Sequence, residues 1–178
     1  GIQEWKKTKA HTTFCSYFFN LEFDKKKNQS YKSSFWANLP EAFDSKSKKT
    51  NWLHIYVKSQ SIPNARIASK LINQFNFSSK GLQVHTTLDS FLTLKIFFKV
   101  LLDWFHLIRM KLRIGKLPFP LINHRLNLTP LLRIDWDKSF LGTKAIENLI
   151  YINLFESAIK SLPKQDVGLY LFEQQVWE

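Results

Sequence analysis

Short, almost wholly apolar runs alternate along this chain with longer stretches in which apolar residues recur every three or four positions. The first kind reads as strands buried on both faces, the second as amphipathic helices. Residues 12–20 (TTFCSYFFN), Trp52 to Val57 (WLHIYV), residues 82–87 (LQVHTT) and residues 167–172 (VGLYLF) make up the strand set. The helical set begins with residues 61–75, where Ile67, Leu71, Ile72 and Phe75 share a face behind Pro63 or Asn64. It continues with Phe91 to Ile114 and with Ser139 to Lys160, whose inward stripe is Ile146, Leu149, Ile150, Asn153, Leu154 and Ile159, and Pro163 ends it. Tyr31 to Phe43 is predicted as a further helix closing near Pro40, and Asp24 to Ser30 as a charged, turn-prone break. Pro118, Pro120 and Pro130 predict an irregular connection from Gly115 to about Asp137.

Strands alternating with helices predict an α/β fold, a Rossmann-like parallel sheet flanked by helices. One domain over residues 1–178 is expected, with 90–137 a helical insertion or membrane-contacting segment, because its composition and proline spacing differ from the rest. A 44% hydrophobic content with sixteen Phe and six Trp excludes a disordered chain, and five Gly with six Pro leave few places for long irregular loops. The lone Cys15 excludes an intramolecular disulfide framework and reads as a small buried residue of the first strand. Gly1 in place of Met, and a chain that stops just beyond its last strand, make a fragment of a longer protein the expectation.

The net charge of +12 is uneven: +5 over residues 1–50, +8 over 51–116 and −1 over 117–178. Such a field draws polyanions, whether nucleic acid, anionic lipid head groups or nucleotide-linked substrates, although a Lys-rich composition also follows from AT-rich coding sequence. A nucleic-acid module is disfavoured because aromatics such as Trp52, Tyr56 and Trp104 sit in apolar runs instead of interleaving with Lys and Arg. The 91–114 helix carries one polar stripe, Lys95, Lys99, Asp103, His106, Arg109 and Arg113, and charges recur too often for a membrane span. Either it lies in a membrane interface with Trp104 and the Phe residues inserted and Lys95, Lys99, Arg109 and Arg113 toward anionic head groups, or it is a packed helix whose stripe reaches solvent. The packed reading is preferred, since most amphipathic helices are ordinary core elements.

Candidate chemistry concentrates near strand ends, where an open α/β sheet presents functional groups. His85, Asp89 and Ser90 follow the third strand, with Asp89 or Ser90 read first as the N-cap of the next helix. His11, His54, His106 and His124 form no metal-ligand spacing with His85. Asp135 and Asp137 flank Trp136, a pair that can work as acid and base or hold a divalent cation if extended; an acidic helix N-terminus is the preferred alternative. Gly142-Thr143 can bring backbone amides to an anion, yet neither GxxxxGK[ST] nor GxGxxG occurs. Glu173, Gln174 and Gln175 close the chain with Trp177 and Glu178, and a Glu there suits a general base while Gln suits sugar hydroxyls; the alternative is a solvated first helical turn.

The blocks HTTFCSYFFNLE, NWLHIYVKS, VHTTLDSFLTLK, WDKSFLGTKAIENLIYINLF and GLYLFEQQVWE resemble a bacterial surface-carbohydrate biosynthesis family of O-antigen and related glycan loci, including lipopolysaccharide. The resemblance runs from about Thr12 to Glu178. Its most distinctive part resembles GLYLxENQxWE, with Gln174 where that pattern has Asn. The resemblance implies the N-terminal, acceptor-side half of a two-Rossmann-domain, GT-B-like glycosyltransferase, peripheral at the cytoplasmic membrane face. It further implies a sugar-nucleotide donor held mainly by a C-terminal domain, no cofactor in this part, and no activity of this part alone. Carried over by position, the site residues would be Asp89, Ser90, Gly142, Thr143, Glu147, Asn148, Glu173, Gln175 and Glu178. Acceptor partners would be a glycan or lipid-linked saccharide; a noncatalytic scaffold of a membrane-bound synthesis complex is the rival.

Overall fold

Four parallel strands in the order β3-β2-β1-β6 form the centre of the computed structural model, which describes residues 1–18, 21, 31–115, 122–123, 126–127 and 129–171. These strands are β1 (Thr12–Phe18), β2 (Thr50–Tyr56), β3 (Gln83–Thr87) and β6 (Val167–Tyr170). Phe14 lies opposite Trp52 and Leu169, and Trp52 opposite His85. Such in-register pairing suits β-branched and aromatic side chains stacked across neighbouring strands. The sheet is Rossmann-like in that β1 is flanked by β2 on one side and by the late-arriving β6 on the other.

Helices cover both faces of the sheet, and the sequence period explains which residues they contribute. On one face α2 (Leu39–Ser45) and α3 (Ala65–Ser78) bring Phe43, Ala68, Ile72 and Phe75 onto Phe14, Phe18 and Trp52. Phe14 and Trp52 stack with ring centroids 4.2 Å apart, and Trp36 and Phe43 meet Phe14 edge-on. On the opposite face Leu53, Ile55 and Thr86 are buried, and α1 (Ile2–Lys6) drops Trp5 into the core. The Trp5 indole N–H donates to the Ala158 carbonyl at 3.0 Å and its ring meets Phe91 edge-on. Asn64 caps α3 by accepting from the Ile67 amide, which fits the predicted start of that helix.

The chain divides into two compact units, one holding residues 1–91 and the stretch from Ser157 through β6, the other Leu92–Glu156. The second unit comprises α4 (Leu94–Ile114), a two-residue antiparallel pair β4 (Ile122–Asn123) and β5 (Leu126–Asn127), α5 (Thr129–Leu141) and most of α6 (Thr143–Lys160). Lys111 of α4 donates to Asp137 of α5 at 2.8 Å, and Asn153 of α6 donates to Asp103 of α4 at 2.9 Å. Gly115, at φ +73°, ends α4 in a conformation that suits a residue without a Cβ, its amide bonding the Lys111 carbonyl.

Several expectations are corrected. The helix around Pro40 begins there instead of ending, since a proline in the first helical turn forfeits no intrahelical hydrogen bond. Residues 129–141 are helical, not irregular, and Pro130 again sits in a first turn. Gly142 splits the single helix expected from Ser139 to Lys160. Within α6, Asn153 and Leu154 are buried as expected, whereas Ile159 is exposed and the neighbouring Ala158 is buried in its place. The Asp24–Ser30 break lies outside the described residues.

Candidate functional site

The C-terminal ends of parallel strands leave backbone amides and following loop residues facing one crevice, deepest where the strand order reverses. In this sheet the reversal falls between β1 and β6, and the Leu171 amide still donates to the Cys15 carbonyl beyond the last paired residue of β6. Glu173, Gln174, Gln175, Trp177 and Glu178 come next in the chain and lie outside the described residues.

At the same edge, β3 runs into a 3-10 turn, Leu88–Phe91, that carries Asp89 and Ser90. The Thr87 and Ser90 hydroxyls lie 2.7 Å apart, one donating to the other. Asp89 keeps an exposed surface, yet the partial burial of its carboxyl raises its pKa above the ordinary carboxylate value. Neither residue caps the next helix: Thr93 does, accepting from the Ile96 amide at 3.3 Å. The expected capping role is thereby removed, leaving a carboxyl and two hydroxyls at the strand end, a set able to bind sugar hydroxyls or take up a proton.

Behind this edge runs a buried line of polar groups that the sequence reading missed. His54 and His85 are fully buried, with Nε2 of His54 2.9 Å from Nδ1 of His85. Nε2 of His85 lies 2.8 Å from the side-chain Oε1 of Gln83, and Nε2 of Gln83 donates to Asp44 at 2.8 Å. Because that Gln oxygen only accepts, His85 carries its proton on Nε2 and His54 donates to the bare Nδ1 of His85. His85, accepting at Nδ1, is therefore neutral, and donation runs His54 to His85 to Gln83 to Asp44; burial disfavours a charge on His54. Burial pushes His54 down to about 3 and His85 well below its ordinary value, the neighbouring imidazole adding to the latter. Burial raises Asp44 and lifts the Tyr31 phenol, which packs on both imidazoles, to about 12. Asn76 of α3 closes the open edge of β3 by accepting from the His85 amide at 2.6 Å and donating to its carbonyl at 2.9 Å. The only signal for this line was the alternation of Gln83, His85 and Thr87 on one strand face.

The N-terminal ends of the strands are built differently. Asn51 accepts from Thr8 at 2.7 Å and donates to Gln165 at 3.1 Å, and Gln165 donates to the Ala10 carbonyl, tying the N-terminal segment, β2 and the approach to β6 together. A pocket of about 410 Å³ opens beside it, lined by Lys7, Lys9 and Lys49 as well as Glu4.

The remaining expected site residues fall in the second unit. Asp135 and Asp137 are on a helix, where residues two apart diverge by about 200°, so the pair does not converge on one ligand. Lys111 holds the Asp137 carboxyl below its usual range. The Gly142 amide donates to the Lys138 carbonyl at 3.0 Å and is not offered to an anion, and Glu147 pairs with Lys144 at 2.6 Å. Thr143 and Asn148 lie on the same α6 segment.

A Cβ at Gly142 would stand 2.8 Å from the Lys138 carbonyl oxygen, closer than side chains come to backbone. Gly142→Ala is therefore expected to cost about 1–3 kcal/mol and to lower the Tm by several degrees in a thermal melt. An unchanged Tm would mean that the α5–α6 junction relaxes freely. No protein-family model, curated protein or solved structure matches the chain.

Proposed function

We propose that this chain is the acceptor-side domain of a two-domain, GT-B-like bacterial glycosyltransferase of surface polysaccharide synthesis. What supports the reading is the all-parallel β3-β2-β1-β6 order, whose reversal between β1 and β6 is where open α/β sheets take ligands, together with Thr87, Asp89 and Ser90 at the C-terminal end of β3, the outer strand of the same sheet. A saccharide presents hydroxyls in several directions, and a carboxyl flanked by two hydroxyls offers acceptors and donors to match them. The sugar nucleotide belongs to a second domain, so this chain binds acceptor and does not turn over donor. A lipid-linked acceptor places the enzyme at the inner face of the cytoplasmic membrane.

The test is NMR chemical-shift mapping with a short-chain polyprenyl-diphosphate disaccharide and, separately, with a UDP-sugar. Shifts from the disaccharide are expected at Thr87, Asp89 and Ser90, and Asp89→Asn should weaken its binding roughly tenfold, the value of one charge-assisted hydrogen bond. Turnover of the UDP-sugar by this chain alone, or disaccharide shifts confined to the pocket of Lys7, Lys9 and Lys49, would overturn the proposal.

A further inference from the structure

Three sides can be distinguished on α4, at 100° per residue. Ile96 and Val100 are buried, with Leu107 and Lys111 on the same side half-buried, and this side packs on α5. Lys95, Lys99, Asp103, His106 and Arg113 make the polar stripe anticipated from the sequence. The third side is apolar and open: Leu94, Phe97, Phe98, Leu102, Phe105 and Leu112 are all exposed, Phe98 by 61% and Leu112 by 76%. The packed-helix reading thus holds for one side only. The open side runs nearly the whole 21-residue helix, about 30 Å, far more apolar length than a solvated helix ordinarily shows.

What chemistry would cover this side is indicated by the charges beside it. Arg109 projects from within the apolar side, and Lys95 and Arg113 border it; none of the three makes an ion pair with a described residue. Lys99, by contrast, is taken up by Glu156, and Lys111 by Asp137. The one carboxylate on the helix, Asp103, lies away from the open side and accepts from Asn153. An acidic partner with an apolar interior fits this arrangement. A protein groove would supply fixed carboxylates, whereas three cations without an ion-pair partner among the described residues, spread along 19 residues, match a surface whose anions move. Among the described residues no helix is long and apolar enough to cross a membrane, so such a helix would lie in the surface plane.

We propose that the open side of α4 docks into the interfacial layer of an anionic lipid bilayer, with Phe97, Phe98 and Phe105 below the head groups and Lys95, Arg109 and Arg113 on the phosphates. The inference rests on α4 alone and stands whether or not the acceptor reading does. Vesicle co-sedimentation of the 178-residue chain on phosphatidylcholine with and without 30% phosphatidylglycerol, a composition chosen at about the anionic fraction of many membranes, contains no saccharide and therefore tests this inference separately. Binding is expected on the anionic vesicles, weakening as salt rises. At roughly fivefold per cation, Lys95→Gln/Arg109→Gln/Arg113→Gln should reduce it about 100-fold. Phe98→Ser/Phe105→Ser should reduce it at least about tenfold while leaving the far-UV circular dichroism and Tm unchanged. An environment-sensitive fluorophore on Leu102→Cys should shift to the blue on binding. No vesicle binding, binding untouched by the charge variant, adsorption without the fluorescence shift, or a concentration-dependent dimer abolished by Phe98→Ser/Phe105→Ser would each overturn the proposal, the last by making the face an interface between copies.

Discussion

Acidification from pH 7.5 to 4.5 is expected to remove several kcal/mol of folding stability, most of it through His54 and His85. In the unfolded chain each imidazole protonates near its ordinary value of 6.5, while in the fold burial holds His54 to about 3 and His85 well below 6.5. The unfolded state thus binds more protons throughout this window. Stability is complete above pH 6.5 and falls with acid, at about 1.4 kcal/mol per pH unit for each group. For His54 alone the loss by pH 4.5 is roughly 2 to 3 kcal/mol. Asp44 and Asp89 act with the opposite sign, because a carboxyl whose folded pKa is raised takes up its proton first in the native state, so the slope is cleanest at the upper end of the window, just below 6.5. Urea unfolding at half-unit steps of pH measures this slope. His54→Gln/His85→Gln should flatten it whatever the variant's stability at pH 8, and an unchanged slope would mean that the imidazoles are not held neutral.

The pair at the root of this prediction shows what the sequence can and cannot announce. His54 and His85 are 31 positions apart, and only the β2–β3 register, which sets Trp52 opposite His85, brings them together. Strand positions were legible because continuous apolar runs such as WLHIYV have few other ways to bury themselves. The start of α3 was legible from Asn64, whose side chain has a local task. The bounds around Pro40 and Pro130 were not, since proline both opens and closes helices and the deciding factor is whether the following residues find tertiary contacts. At the candidate site, Asp89 and Ser90 were placed at the right strand end but given a local capping role that Thr93 performs. Asp135 and Asp137 were read first as an acidic helix N-terminus, but α5 begins at Thr129 and they lie in its second half; the alternative of a convergent pair fails as well, because convergence requires a period of two. The open side of α4 was the least legible feature: apolar residues around a helix signal burial, and which side the fold leaves bare is decided by elements distant in sequence.

Replacing Trp5 is expected to be among the most damaging single changes outside the sheet itself. The segment around it, EWKKTK, has the composition of a solvated terminus, and nothing in its periodicity marks a core residue. Yet the Trp5 side chain is wholly buried, its indole N–H is satisfied by the Ala158 carbonyl and its ring edge meets Phe91. Ala158 is itself fully buried, and a small residue at that point of α6 lets the indole approach the helix backbone. Trp5→Ala removes a large apolar volume and strands a buried carbonyl, which together should cost about 3–5 kcal/mol. Trp5→Phe retains most of the packing and loses only the donor, for an expected cost of about 1–3 kcal/mol. Urea denaturation of the two variants separates packing from hydrogen bonding. Should Trp5→Ala unfold within about 0.5 kcal/mol of the parent chain, the N-terminal helix would be an appendage to the fold, and the face of the sheet opposite α3 would owe its stability to other buried residues such as Leu53, Ile55 and Phe91.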